Sequence, residues 1–258
     1  MSDNDNSGKQ FEYEMLRYEL ARDKVLNAIE GLKRELILRR KLEEDPDKYP
    51  QIERVESRIK SHESICAKCE KKGIPTTIES IKENIHDVVG IRIVTVFRHE
   101  IYQLADMLLG VPGINFVKVK DYIESPKESG YRGYHLIVYV EVYSQNRSSI
   151  VTVEIQIRDL LMDAWSKIEH RKRYKPHGSD PSKSLDDSFT RHADILNRFD
   201  LEVDEKSREL ESFGFPETDI PYVAAFSGVV IVDEEEANSE DDLGSDEDAI
   251  LGPDHIAD

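Results

Sequence analysis

The run Val88–Phe97, VVGIRIVTVF, constrains the fold more than any other stretch of the chain. It is β-branched and nearly unbroken, which predicts a central strand buried on both faces. Three further strand-like runs follow, NFVKVKDY from Asn115, YHLIVYVEVY from Tyr134 and IVTVEIQIR from Ile150. The short polar turn SQNRSS between the last two predicts an antiparallel hairpin. Helical patterns surround these strands. Residues 11–44 place Leu16, Leu20, Val25, Ile29, Leu32 and Leu36 at amphipathic spacing, until two prolines in EDPDKYP end the helix. A second helix is expected from about Ile52 to Lys72, closed by Gly73 and Pro75. Thr76 or Thr77 then caps a short helix ending near Asn84. Helices over about 100–109, 160–171 (with the only tryptophan, Trp165) and 186–212 complete the pattern. Strands and helices in this order predict an α+β fold, a mixed and mainly antiparallel sheet flanked by helices.

The net charge of −18 argues at first against a phosphate-bearing ligand, but 14 acidic residues and no Lys or Arg lie from Gly214 onward. Residues 1–213 therefore carry only −4 of that total, and a basic pocket is compatible with the folded part. The expected organisation is a flexible stretch over 1–11, one domain over 12–213 and an acidic tail over 214–258. An apolar docking segment, YVAAFSGVVIV, precedes the disordered end of that tail. No apolar run is long enough to cross a bilayer and the start lacks the form of a secretory signal, so a cytoplasmic protein is expected. Cys66 and Cys69, with His62 one turn earlier, lack the second pair a tetrahedral zinc site needs, and read as reduced thiols on a helix.

Residues 118–135, KVKDYIESPKESGYRGYH, gather Lys118, Lys120, Lys127, Arg132 and His135 around Tyr122, Tyr131 and Tyr134, with Gly130 and Gly133. Cations suit phosphate oxygens and a tyrosine at a loop edge can stack on a base. A hairpin with a tyrosine-rich, half-exposed face is the plainer reading, and the residues alone leave both open. Asp87 immediately precedes the apolar run, and alternation in VTVEIQIR puts Glu154, Gln156 and Arg158 on one face. Acids from two neighbouring strands are a common way to hold Mg²⁺ against a triphosphate; surface acids at strand ends are the plainer alternative. Arg58, Lys60, Ser61, Ser64 and Lys68, expected at the start of the 52–72 helix, would form an anion site there, or a solvated basic face.

ESRIKSHESICAKCEKKGIP, HDVVGIRIVTVF, VKVKDYIESPKESGYRGYHLIVYVEV and VTVEIQIRDLLMDAWSKIEHRKRYK, in this order, resemble the synthetase domain of the RelA/SpoT family, and more narrowly its single-domain small alarmone synthetases. The resemblance spans about residues 12–212. It implies a nucleotidyltransferase-like sheet and transfer of pyrophosphate from ATP to the 3′-hydroxyl of GDP or GTP, with Mg²⁺ as cofactor. By the same resemblance Asp87 and Glu154 match the magnesium-binding acids, Glu154 also being the residue that takes the proton from the attacking hydroxyl. Arg58 and Arg92 match the pair that sandwiches adenine, and Lys60, Ser64 and Lys68 the ATP phosphate contacts. Tyr131 matches the tyrosine that stacks on guanine; Lys127, His135 and Gln156 match other acceptor contacts.

Gly133 stands where a serine is common in the family, a change expected to be unimportant. The stretch before the ATP motif has Arg54 and no aromatic, which speaks against the family's allosteric alarmone site. The His86-Asp87 pair evokes alarmone hydrolases, but residues 1–85 offer only His62 to support such a metal site. The rival within the superfamily is a toxin-type enzyme that pyrophosphorylates the 3′ end of tRNA or makes adenine alarmones, for which RKRYK at Arg171–Lys175 would supply a basic surface. A rival of another class is a catalytically silent RNA-binding protein. The apolar faces of the first and last helices imply a homo-oligomer, a tetramer by resemblance; an RNA or antitoxin partner stays open.

Overall fold

Asp87 leads directly into the strand at the centre of the molecule, and the chain before it builds one side of the sheet. The computed structural model describes residues 2–42, 48–144, 146–173, 183–212 and 230–231. In order these form α1 (Ser2–Leu42), β1 (Ile52–Ile59), α2 (His62–Lys72), α3 (Ile78–Asn84), β2 (Val89–Thr95), α4 (His99–Leu109), β3 (Asn115–Asp121), β4 (Tyr134–Ser144), β5 (Arg147–Asp159), α5 (Leu160–Arg173), α6 (Lys183–Ser212) and the two-residue β6 (Val230–Ile231). The sheet runs β3-β4-β5-β2-β1-β6. Pairing is antiparallel for β3–β4, β4–β5 and β1–β2, and parallel for β2–β5 and β1–β6. The fold is α+β with a mixed, mainly antiparallel sheet.

Register gives the sheet two unlike faces, because residues directly opposite one another across strands share a face. Val55, Ile91, Ile93, Ile155, Ile157, Leu136 and Val138 point to one side. There they join Val25 and Ile29 of α1, Ile65 of α2 and Leu104 and Leu108 of α4 in one core. Each such aliphatic side chain withdrawn from water contributes roughly 1.5–3 kcal/mol. The opposite face carries two polar rows. One aligns Arg58, Gly90, Glu154, Ile137 and Lys118, the other Glu56, Arg92, Gln156, His135 and Lys120. The helix α5 lies beside β2 and β5 and packs on α6, where Trp165 meets Phe189 with ring centroids 5.7 Å apart.

Most of the expected elements are found, with four corrections. Residues 52–59 form a strand, so the helix expected over 52–72 starts only at His62. A register shift between Ile52 and Arg54 turns both Ile52 and Val55 inward, three residues apart, which imitates helical spacing. The strand β2 is central but not buried alike on both sides, since Gly90 and Arg92 face the polar cleft. On α1 the buried stripe is Tyr18, Ala21, Val25, Ile29 and Leu36, whereas Leu16 and Leu20 stand outside it and are exposed. The α1 backbone is helical from Ser2, ahead of the start expected near Phe11. Thr77 caps α3, its hydroxyl accepting from the Ser80 amide at 3.2 Å. Of YVAAFSGVVIV, Val230 and Ile231 pair with Glu56 and Ser57 of β1; the other residues of that segment, and the acidic tail, lie outside the described residues. Among the described residues no helix is long and apolar enough to cross a membrane.

Candidate active site

Two buried carboxylates lie on the polar face, and different groups attend each. Asp87, at the mouth of β2, receives Lys68 Nζ at 2.6 Å and Lys60 Nζ at 3.3 Å on Oδ2. Its Oδ1 is buried and accepts no hydrogen bond among the described residues. Lys68 reaches Asp87 because α2 is held in place at its start, where Ser61 Oγ accepts from the Ser64 amide at 3.2 Å and lies 3.0 Å from Ser64 Oγ. Arg58 is therefore a strand residue and Lys60 a linker residue, not members of a helix start as expected. The Arg58 side chain lies over Gly90, where an added Cβ would be in ordinary contact with it at 3.6 Å. Gly90 pairs with Glu154 on its other side, so Arg58, Gly90 and Glu154 fall in one row.

Glu154 lies on the same face of the sheet. His135 Nδ1 is 3.0 Å from Oε1, and Gln156 Nε2 donates to Oε2 at 2.9 Å. Burial by itself would push this carboxyl up, as would the charge of nearby Asp87, but the His135 ring and the Gln156 amide outweigh both and bring it down to about 2. Glu154 is thus a fixed negative charge in the resting protein. Behind it the network continues: His135 Nε2 is 2.7 Å from the Tyr131 hydroxyl, which accepts from Arg158 Nε at 3.1 Å. Arg158 Nη2 donates to Gln156 Oε1 at 2.8 Å.

Tyr131 departs from expectation. Its ring is 5% exposed and not an open platform. The Arg158 guanidinium lies 4.9 Å and the Lys127 ammonium 5.2 Å from its centroid. The hydroxyl lies between His135 and Arg158, and that draws the ring inward; besides the two cations, the ring meets Tyr122 and His135 edge-on with centroids 5.9 and 5.7 Å away. Lys127 also sits 4.7 Å from the centroid of Tyr122.

The expected adenine side is likewise brought to this face. Arg92 Nη1 donates to Glu56 Oε2 at 3.3 Å and lies 3.8 Å from Asp163 Oδ1. Arg54 pairs with both Glu56, at 2.6 Å, and Asp163. Register and contacts set several of the expected residues on this face: Lys60 and Lys68 meet Asp87, Arg58 and Arg92 share rows with Glu154 and Gln156, and His135 links Glu154 to Tyr131, over which Lys127 lies; Ser64 is placed by its contacts with Ser61 at the start of α2. Sequence reasoning did not single out Glu56, Asp163 or Ser166 as part of this face, nor give Arg158 a role. Alternation had placed Arg158 on the same face as Glu154, and that was the available signal. The thiols of Cys66 and Cys69 are free, Cys66 Sγ lying 3.5 Å from His62 Nε2. Arg171–Arg173 end α5, while Tyr174 and Lys175 of the basic run lie outside the described residues.

Comparison with known proteins places this arrangement in context. Residues 57–179 match the family model described as the region found in RelA / SpoT proteins. The GTP pyrophosphokinase YwaC of Bacillus subtilis (strain 168) is 42% identical over 149 residues, covering 58% of this chain and 70% of that protein. The GTP pyrophosphokinase YjbM of the same organism is 37% identical over 184 residues, covering 71% of this chain and 85% of the relative. The crystal structure of small alarmone synthetase 1 from Bacillus subtilis bound to its product pppGpp superposes with a TM-score of 0.63 at 34% identity, over 79% of this chain and 99% of that one.

Proposed function

The chain belongs to the RelA/SpoT family, among its small alarmone synthetases, and from that premise we propose that it transfers pyrophosphate from ATP to the 3′-hydroxyl of GDP or GTP. The products are AMP and ppGpp or pppGpp. One observation carries this reading: Asp87 and Glu154 are buried carboxylates on a single cation-rich sheet face, near enough for the charge of Asp87 to oppose ionisation of Glu154.

The roles follow from the geometry. Attack on a polyanion needs charge neutralisation and alignment more than covalent chemistry. Lys60 and Lys68, paired with Asp87 in the resting protein, turn to the ATP phosphates, and Arg58 and Arg92 flank the adenine. Lys127, His135 and Gln156 hold the acceptor. A carboxylate held at about 2 is a weak proton acceptor; phosphates arriving beside Glu154 raise its proton affinity and equip it to take the 3′-hydroxyl proton. Magnesium suits the pair, because it takes one or two carboxylates with phosphate oxygens and water, and Asp87 Oδ1 is a buried acceptor with no partner among the described residues. Bound there it would neutralise charge on the transferring phosphates. Tyr131 stacks on guanine once its ring turns out of the network with His135 and Arg158.

ATP and GDP or GTP as substrates put the reaction in the cytoplasm. Exposed Tyr13, Leu16 and Leu20 on α1 and Ile195 and Phe199 on α6 support self-association; a light-scattering mass equal to one chain would contradict it. The activity is tested by giving purified protein ATP labelled in the β- and γ-phosphates, magnesium, and GDP, GTP, ATP or deacylated tRNA in separate reactions. Label on the guanosine nucleotides is expected. Label on tRNA alone, or on a 3′-pyrophosphorylated adenine nucleotide alone, would replace this reading with that of a different acceptor.

A further inference from the structure

Asp163 stands in the first turn of α5, above the polar face, with its side chain 5% exposed. Four cations surround it. Arg54 Nη2 bonds Oδ2, Lys167 Nζ lies 3.2 Å from Oδ2, and Arg92 Nη1 and Arg158 Nη1 each lie 3.8 Å from Oδ1. Although it faces two guanidinium groups, Oδ1 is buried and accepts no hydrogen bond among the described residues. The two arginines belong to different halves of the site. Arg92 is on the ATP side, and Arg158 fixes Tyr131 and Gln156 on the acceptor side through contacts of 3.1 and 2.8 Å.

Resting on the function read above, we propose that Asp163 is a positioning residue that couples the two nucleotide sites. Its Oδ1 is shared between Arg92 and Arg158 and closes on neither. A donor nucleotide that draws Arg92 onto its base leaves this oxygen to Arg158. The tightened pair draws Arg158 toward Asp163 and away from the Tyr131 hydroxyl, so the ring is freed to turn out and the acceptor binds more tightly. A ligand shifts an arrangement only through its differential interaction with the two states, and here the difference is the partner of one carboxylate oxygen. Linkage makes the effect reciprocal, so the acceptor tightens donor binding by the same factor.

The test is binding without turnover. The Kd of GDP is measured by calorimetry with and without a saturating non-hydrolysable ATP analogue, in the natural protein and in Asp163→Asn, with thermal melts to verify folding. In the natural protein the analogue is expected to lower the GDP Kd by about fivefold or more, the lower end of typical coupling, and in Asp163→Asn the factor falls to near one. A general loss of structure would weaken both ligands and leave no such selective loss of coupling. Ser166→Ala gives an independent reading, since Ser166 Oγ accepts from Arg158 Nη1 at 2.7 Å and competes with Asp163 for it. Without that hydroxyl, Arg158 closes on Asp163 before the donor arrives, so GDP binds more tightly alone and the coupling shrinks. Binding of both nucleotides without coupling in the natural protein, or coupling unchanged in either variant, overturns the proposal. Failure of the natural protein to bind either nucleotide would instead overturn the function on which it rests.

Discussion

At Gly133 an added Cβ would stand 2.9 Å from the Tyr131 hydroxyl and 3.4 Å from Arg158 Cγ. Gly133, a departure from the family's pattern expected to be unimportant, makes room for the inward pose of Tyr131. Gly133→Ala should push the hydroxyl away from His135 and Arg158 at the end of a side chain that can move. An inward pose that must be broken before stacking weakens apparent acceptor affinity by the fraction of molecules in it. The variant is thus expected to lower the KM for GDP or GTP and leave that for ATP unchanged, read from initial rates with each substrate varied. A higher acceptor KM, or equal changes for both substrates, would contradict the proposed role of the ring. At this scale the sequence offered candidate residues for this face, but the pose of Tyr131 was not legible in it. Pose depends on which polar atoms fill the gap between His135 and Arg158, and those meet only across strands.

At the scale of elements, α6 is docked to the end of β5 through acids. Asp159 Oδ1 accepts from the Met162 amide at 2.7 Å and so caps α5, while Arg98 Nη1 donates to Asp200 of α6 at 3.3 Å. Burial, and then the neighbouring charge of Asp200, push Asp159 up to about 8, and burial raises Asp200 as well. An unfolded aspartate titrates near 3.9, so folded Asp159 keeps a proton that the unfolded chain has lost. Its contribution is fully present below about pH 4 and is lost as the pH rises through about 8. Asp159→Asn keeps an oxygen for the Met162 amide and removes the titration. Its melting temperature, relative to the natural protein, should rise between pH 6 and pH 9; a constant difference would show that Asp159 does not titrate in this window. The elements themselves were largely legible, because β2, α3, α4 and the β4–β5 hairpin carry strong patterns and caps. The strand β1 was not, since its register shift at Glu53 broke the alternation and Ser57 occupies an inward position that pattern reading assigns to an apolar residue.

At the scale of the whole molecule, the sheet divides the labour. Its apolar face binds α1 and α4 into the core, which leaves the other face free to carry more charge than a two-sided core would tolerate. Topology then makes the site: the parallel β2–β5 pairing sets Gly90 opposite Glu154 and brings Asp87 to the same end. That convergence links residues far apart in the chain; strand pattern offered it as one of two readings of Asp87 and Glu154, and resemblance to a family favoured it. The most direct measurement of the claim that these two acids seat the reaction is a comparison of pyrophosphate transfer and nucleotide binding in the natural protein, Asp87→Asn and Glu154→Gln. The account predicts that Glu154→Gln folds and binds GDP but transfers pyrophosphate at least about 10²-fold more slowly, with Asp87→Asn similarly impaired. Transfer within a fewfold of the natural rate by either folded variant would contradict it.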